Sequence, residues 1–530
     1  MNKRYIYTIS TYILSLMLLF AVQACKDDDN TTDNSVLTLL SYTPDNGSEI
    51  AETGTVQLTF NKNVRQTAGS TISMNGEAVR VIITNNIVYC HFDLPTATKL
   101  TLDIPEGALT DFYGQSFEGI TLNFPLVPTM KLFDAVVDKN GKGDYTSVQA
   151  AINAAPTNQT QPYLIFITNG TYEELVNVNS NKPFIHLIGQ DWEKTVITYK
   201  MNRTTDENNA GWPYSSRNPA NASIITQDGA TVLQATDFYA ENISFENKWG
   251  TDERGNRGPQ ADAMITRADR IAFNHCRLRS YQDTWWTRNY TSGSSSNINM
   301  RNYATDCWIE GCVDYVYGGG NIVIENSTFY NVDQQSKITA GSHVEGTEWG
   351  YVIKNCIVDG EEAANNSTVF GRPWQNSPLT VFIDTKLKIN ITPAGWEDMS
   401  TLPKLYAEYN TTDADGNPVD TSERRTHYNA GEYTKTTLTA EEAARYTYEN
   451  IIQSKDGWNP KLYMQKTATP EVSKNGATLN WDKVTNAICY VIFKDGVYDG
   501  QTIDTFYEIE DQDATYTVKS VNRYGGLSED

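Results

Sequence analysis

Five short segments in the middle of this 530-residue chain share one pattern: FYAENISFEN (238–247), RIAFNHCRLR (270–279), YATDCWIEG (303–311), IVIENSTFY (322–330) and YVIKNCIVDG (351–360). Each carries a short strand-like run, a polar residue, one small or apolar residue, and a second strand-like pair. The residue after the polar position falls at Ile243, Cys276, Cys307, Ser327 and Cys356, at spacings of 33, 31, 20 and 29 residues. Unequal periods of this length, on short strands without long helices between them, predict a parallel β-helix in which each coil stacks on the last. The five side chains would then form one inward ladder, with neighbours about 4.8 Å apart. At that spacing Cys276 and Cys307 could be bridged, since a disulfide accepts Cα separations of about 4.4–6.8 Å. A ladder of packed thiols satisfies the same geometry, and the sequence leaves both open. Cys356 falls beside Ser327 and is expected to stay free.

The repeats span about 128–466, and a chain of this length needs more than one core. From 36 to 127, alternating runs such as Thr55-Val56-Gln57-Leu58-Thr59-Phe60 are separated by turn-rich pieces such as Thr43-Pro44-Asp45-Asn46-Gly47. That is the pattern of a small β-sandwich. It is similar to bacterial immunoglobulin-like modules and reads as a spacer. Residues 467–530, with strand-like runs at 477–481 and 487–493, resemble a shortened fibronectin type III module. The predicted fold class is therefore all-β, a parallel β-helix flanked by two small β-sandwich modules. Cys90 and Cys489 lie in strand-like runs and are expected to be buried as small apolar residues.

Residues 1–24 read as an export signal: Lys3 and Arg4 supply the positive end, and 12–22 an apolar stretch too short to span as a mature helix. Val22-Gln23-Ala24-Cys25 resembles a bacterial lipoprotein cleavage box with Cys25 as the lipidated residue, followed by a polar tether over 25–35. Lys26-Asp27-Asp28-Asp29 is similar to the surface-export signal of some Gram-negative lipoproteins. The expectation is an outer-membrane lipoprotein exposed at the cell surface, touching the membrane through its lipid anchor only. A formal net charge of −23 argues against nucleic acid as a partner. A monomer is the default.

Several chemistries find no footing. None of the five histidines has zinc-ligand spacing, and there is no G-x-S-x-G elbow. Asp138 to Asp144 imitates a calcium loop, but Lys142 occupies a ligand position, so a turn is expected; Asp413 to Asn417 reads as a loop too. What remains is an ordered set: GDYTSVQAAI (143–152), NGTYEE (169–174), GPQADA (258–263), YQDT (281–284), GCVDYVYG (311–318) and FGRPW (370–374).

In this order the segments resemble the pectin methylesterase (pectinesterase) family, over roughly 128–466. The resemblance implies a right-handed parallel β-helix and a metal-free esterase that needs no cofactor. Carried over residue by residue, it makes Asp314 (GCVDYVYG, family GTVDFIFG) the nucleophile and Asp283 the general acid/base. Gln260 and Gln282 would form the oxyanion site, Arg372 would pair with Asp314, and Trp374 would stack on a sugar. The implied partner is methylated homogalacturonan, the implied products methanol and the de-esterified polymer.

Elementary electrostatics suits these roles. Two carboxylates about 5 Å apart repel by roughly 3 kcal/mol at an effective dielectric near 20. One of them therefore tends to hold a proton, and a neighbouring cation decides which stays charged. Arg372 beside Asp314 would leave Asp283 as the acid. Gln282 and Asp283 are adjacent, so an ideal strand would point them to opposite faces; joint service requires a bend there, with Thr284 as its marker. Two departures bear on specificity. Family QAVAL is QADAM (260–264) here, which would put the Asp262 carboxylate beside the substrate and disfavour de-esterified neighbours. Family QDTLY is QDTWW, so Trp285 and Trp286 would enlarge the sugar-binding surface. The alternatives are a non-catalytic surface glycan-binding lipoprotein and a β-helix enzyme acting on another uronate polymer.

Overall fold

The computed structural model describes residues 35–529 except 49, 51–52, 95–98, 126–128, 203–228, 253–259 and 288–297. The export signal, Cys25 and most of the tether thus lie outside the described residues. The chain divides into two compact units, 1–126 and 127–530. In the first, two four-stranded antiparallel sheets enclose one core, in which Val56, Leu58, Phe60, Cys90 and Leu102 are fully buried.

The second unit is a parallel β-helix. Its coils contribute to three parallel sheets of ten, eight and seven strands, and their inward residues form one continuous core. Helix α1 (Val148–Ala154), N-capped by Ser147, packs Val148, Ala151 and Ile152 into that core beside the first strands. The unit is thus all-β apart from short helical pieces.

The repeated polar residue of the sequence pattern is the corner between the ten- and eight-stranded sheets. Asn242, His275, Asp306, Asn326, Asn355, Asp384 and Asn410 all adopt left-handed backbone, with φ between 48° and 58°. Asn and Asp tolerate this region because short polar side chains can bond locally. The next residue turns inward. The amides of Arg277, Trp308, Thr328 and Ile357 donate to the carbonyls of Ile243, Cys276, Cys307 and Ser327 at 2.8–2.9 Å, so the five ladder residues are stacked coil on coil.

Residues 473–521 form two three-stranded antiparallel sheets with a small core around Leu479, Trp481, Tyr490 and Val518. Cys489, Val491 and Phe493 join a second apolar cluster with Val136, Phe166 and Ile188, residues of the ten-stranded sheet that are not part of the inner core. The C-terminal segment is thus built into the same compact unit as the β-helix.

Cys90, Cys276, Cys307, Cys312, Cys356 and Cys489 are buried free thiols, so the ladder at Cys276 and Cys307 is packed and not bridged. Burial pushes the Cys90, Cys307, Cys356 and Cys489 thiols up to about 12, and Cys276 well above its ordinary value. All six should resist a thiol reagent in the folded protein and all six should titrate after denaturation without reductant. A count of four would reveal a bridge.

Candidate active site

Five consecutive strands of the seven-stranded sheet carry the site: β1 (Met264–Thr266), β2 (Trp285–Thr287), β3 (Val316–Gly318), β4 (Lys337–Gly341) and β5 (Val369–Pro373). Trp285 pairs with Val316, and the bridge from Gln282 to Val313 continues that register upstream. The Asp283 amide donates to the Val313 carbonyl at 2.9 Å, which sets Asp283 opposite Asp314 on the neighbouring rung. Extending the pairing of Val316 with Thr339 sets Lys337 next to Asp314. One column therefore reads Asp283, Asp314, Lys337.

Both aspartates are corner residues, with φ of 65° at Asp283 and 51° at Asp314. This is the bend the adjacent Gln282 and Asp283 require. The Thr284 hydroxyl donates to the Glu310 carbonyl at 2.8 Å and ties that bend to the next coil. Glycine is required at Gly311, where a Cβ would lie 2.3 Å from the Cβ of Tyr315, so the chain can fold tightly around Asp314. IEGCVDYVYGGG (309–320) is accordingly not one strand: Asp314 stands in the turn between Trp308–Gly311 and β3.

Asp314 and Asp283 are 8% and 6% exposed. The Arg372 fork donates from Nε to Asp314 Oδ1 at 2.8 Å and from Nη2 to Oδ2 at 2.7 Å. Arg372 is in register with Ala340, which pairs with Tyr317, so the side chain reaches back past a bare methyl group to the corner of β3. Gly371 is fixed by crowding, because a Cβ there would meet Thr339 Oγ1 at 2.1 Å.

Two further charges join this pair, neither singled out from the sequence. Arg372 Nη1 donates to Glu397 Oε1 at 3.2 Å, and Lys337 Nζ lies 3.3 Å from Glu397 Oε2. Lys337 carried a signal that could have been read, a lone charge in the strand-like run SKITAG, as Asp314 is in its own. Glu397 carried none; its amide bonds the Gly371 carbonyl at 3.0 Å, a neighbour only once the coils are stacked.

The electrostatics amend the expectation that Arg372 alone decides the charge of Asp314. Burial pushes the Asp314 carboxyl above its ordinary value; the hydrogen bonds and charge of Arg372, and then the charge of Lys337, pull it down, while Glu397 adds to the rise. Arg372 is itself raised: burial opposes its charge, and its contacts with Asp314 and Glu397 outweigh that. A fork that satisfies both carboxylate oxygens fits the ionised form of Asp314.

The remaining expected residues divide. Gln282 is half-buried, and its amide oxygen is buried without a hydrogen-bond partner. Leaving such a group unmet costs about 1–3 kcal/mol, and either end of an amide can be turned to the same place. Gln260 is half-buried on the adjacent rung, where the following Ala261 amide donates to the Gln282 carbonyl at 3.1 Å. Trp286 and Trp374 are both half-exposed and flank Tyr317: Trp286 stacks on it at 5.5 Å, and Trp374 meets it edge-on at 5.6 Å.

Trp285 and Asp262 are not surface groups. Trp285 is fully buried in the inner core and donates to Thr266 Oγ1 at 3.3 Å; it occupies the leucine position of QDTLY, and alternation along β2 turns it inward as Trp286 turns out. Asp262 is 1% exposed and accepts a hydrogen bond from the Tyr317 hydroxyl at 2.6 Å, so it cannot present its charge to a neighbouring sugar.

A family model described as Pectinesterase matches residues 134–455, more than half of the chain. The chain belongs to the pectinesterase family. Among curated relatives, the probable pectinesterase/pectinesterase inhibitor 41 of Arabidopsis thaliana is 28% identical over 368 residues, covering 66% of this chain and 56% of that protein. The probable pectinesterase/pectinesterase inhibitor 20 of the same plant is 30% identical over 341 residues, covering 61% and 53%. This pectinesterase-family chain spans about half the length of the curated relatives it matches. In fold it is similar to the pectin methylesterase from carrot, with a TM-score of 0.50 at 24% identity over 62% of this chain and 95% of that one. Pectin methylesterase PemA from Erwinia chrysanthemi gives a TM-score of 0.50 at 23% identity, over 62% and 99%.

Lys337 lowers the pKa of Asp314, so Lys337→Gln should raise the pH at which that carboxylate ionises. Carboxyl-carbon NMR titration of the folded protein reads this directly. An unchanged or lower midpoint would contradict the charge balance described.

Proposed function

We propose that this protein removes methyl esters from the galacturonate units of pectin, releasing methanol and leaving de-esterified homogalacturonan. The reading rests on membership of the pectinesterase family together with one observation: Asp314, held by both arms of the Arg372 fork, stands in register with a second buried carboxylate, Asp283.

In this reading an ionised Asp314 oxygen attacks the C6 carbonyl of the ester. The carbonyl electron pair moves onto oxygen, where the Gln260 and Gln282 amides would donate hydrogen bonds without adding a charge that perturbs the two aspartates. Collapse of the tetrahedral species breaks the bond to the methoxy group, which leaves as methanol with the proton of Asp283. Asp283, now a carboxylate, takes a proton from water as that water attacks the acyl carbon, and collapse returns Asp314 and the free galacturonate. Arg372 supplies a fixed positive charge beside Asp314 throughout. Trp286 and Trp374, both half-exposed, would face sugar rings.

Methanol release from methylated pectin tests the reading. Asp314→Asn should lower kcat by about a thousandfold or more, Asp283→Asn by about a hundredfold, and Gln282→Ala by about a hundredfold. Full activity in Asp314→Asn would overturn the mechanism; binding of pectin by the wild type without methanol release would favour a glycan-binding role.

The N-terminal sequence supports placing this activity at the outer membrane, with Cys25 as the lipid anchor. Cys25→Ser should move the protein from the membrane to the soluble fraction on cell fractionation. Retention at the membrane would argue against that anchor.

A further inference from the structure

The cluster around Asp314 joins two cations to two carboxylates. Arg372 is held by Asp314 and Glu397. Lys337 is held by Glu397 and by the Gln335 carbonyl, which accepts from Nζ at 2.8 Å. Glu397 is the one acid within ion-pair distance of Lys337 among the described residues. With Asp314 ionised, as the proposed mechanism requires, the charges of Arg372 and Lys337 are matched by those of Asp314 and Glu397. These four groups carry no net charge, and without Glu397 they would carry one positive charge.

That balance matters because the proposed reaction changes charge. A methyl ester is neutral, whereas the galacturonate it becomes is an anion at neutral pH. Product and substrate therefore differ by one negative charge placed beside Asp314. An unmatched cation there would hold the product more tightly than the substrate, and a cluster without net charge does not. Glu397 is near enough for its charge to count. One guanidinium separates it from Asp314, through contacts of 3.2 and 2.7 Å, a span comparable with the roughly 8–10 Å over which salt screens a charge. Its charge is felt at Asp314, whose carboxyl it helps to push up. At 38% exposure it stands at the open edge of the cluster, whose other side chains are 20% exposed or less.

We infer that Glu397 sets the preference of the site for ester over acid: it cancels the positive charge that Lys337 adds beside Arg372, so the de-esterified unit is not held where the ester reacts. This rests on the function proposed above. Glutamine at this position keeps an oxygen for Arg372 Nη1 and loses the charge, which separates charge from the aiming of the guanidinium. Loss of the Lys337 charge as well restores the balance.

Two variants test this, Glu397→Gln and the double change Glu397→Gln with Lys337→Gln. Each is titrated with two oligosaccharides that carry no ester: a de-esterified oligogalacturonate, and the same chain with its carboxyls reduced to uncharged primary alcohols. Glu397→Gln should bind the de-esterified chain about tenfold more tightly than the wild type, with affinity for the reduced chain unchanged within about twofold. The de-esterified chain should also inhibit methanol release by this variant about tenfold more strongly. The double variant should return to the wild-type affinity for the de-esterified chain. Equal affinity of the wild type and Glu397→Gln for that chain would overturn the inference. So would a change of the same size for both oligosaccharides, the mark of a misplaced Arg372, or a double variant that keeps the tighter binding. If the double variant does not fold, because Lys337 is buried, the change at half-exposed Glu397 decides alone. A wild type and variants that bind in the expected order without releasing methanol sink the proposed activity and leave the charge preference standing. Failure of all three proteins to bind the de-esterified chain sinks the inference.

Discussion

Everything in the β-helix depends on turning the chain at the same place in every coil. A parallel ladder keeps its register only if successive coils bend in step, and a bend of this kind uses left-handed backbone that costs most L-residues about 1–2 kcal/mol. The corner column of Asn, Asp and His residues from 242 to 410 meets that cost with side chains suited to it. The same device is reused at the next corner, where Asp283 and Asp314, and in the following coils Gln335 and Asn366, adopt the left-handed region. There the short carboxylates serve both as tolerable turn residues and as the reactive groups of the proposed chemistry.

At Asp314 burial and charge oppose each other, and burial is the larger. Burial favours the neutral carboxyl, and the Arg372 fork with Lys337 opposes it. Glu397 then takes the remaining reach of both cations, bonding Arg372 on one oxygen and pairing with Lys337 on the other. The cations are thereby aimed, at the expense of some of the field they exert on Asp314. The result is a carboxylate held in place from one side, with a second carboxylate one rung away in the same column.

The sequence carried the coil pattern plainly, because the corner needs a narrow class of residues and the inward position after it needs a small or apolar one. The segments around Asp283, Asp314 and Arg372 were legible for a similar reason: Gly311 and Gly371 stand where a Cβ has no room. What could not be read was which neighbour each side chain meets. Trp285 and Trp286 look alike in sequence, yet alternation on one short strand sends the first into the core and leaves the second half-exposed. Asp262 looked like a surface charge until Tyr317, 55 residues on, was folded over it. Lys337 and Glu397 escaped notice because their partners are supplied by stacking. Alternating side chains along 309–320 would suit one strand, but a single left-handed residue at Asp314 ends the alternation there.

Arg372 stands on the last strand of its sheet, while Asp314 belongs to a coil two rungs inside. The fork that joins them is therefore a staple across two rungs, between a coil near the C-terminal end of the stack and one further in. In a solenoid, where each layer is held mainly by its neighbours, the outermost layers detach most readily. Loosening the C-terminal coils as far in as Val369–Pro373, together with residues 391–397 stacked on its outer side, would remove the guanidinium from Asp314 while the inner coils stayed folded. The proposed activity would be lost before the fold came apart, with the C-terminal coils acting as the fuse.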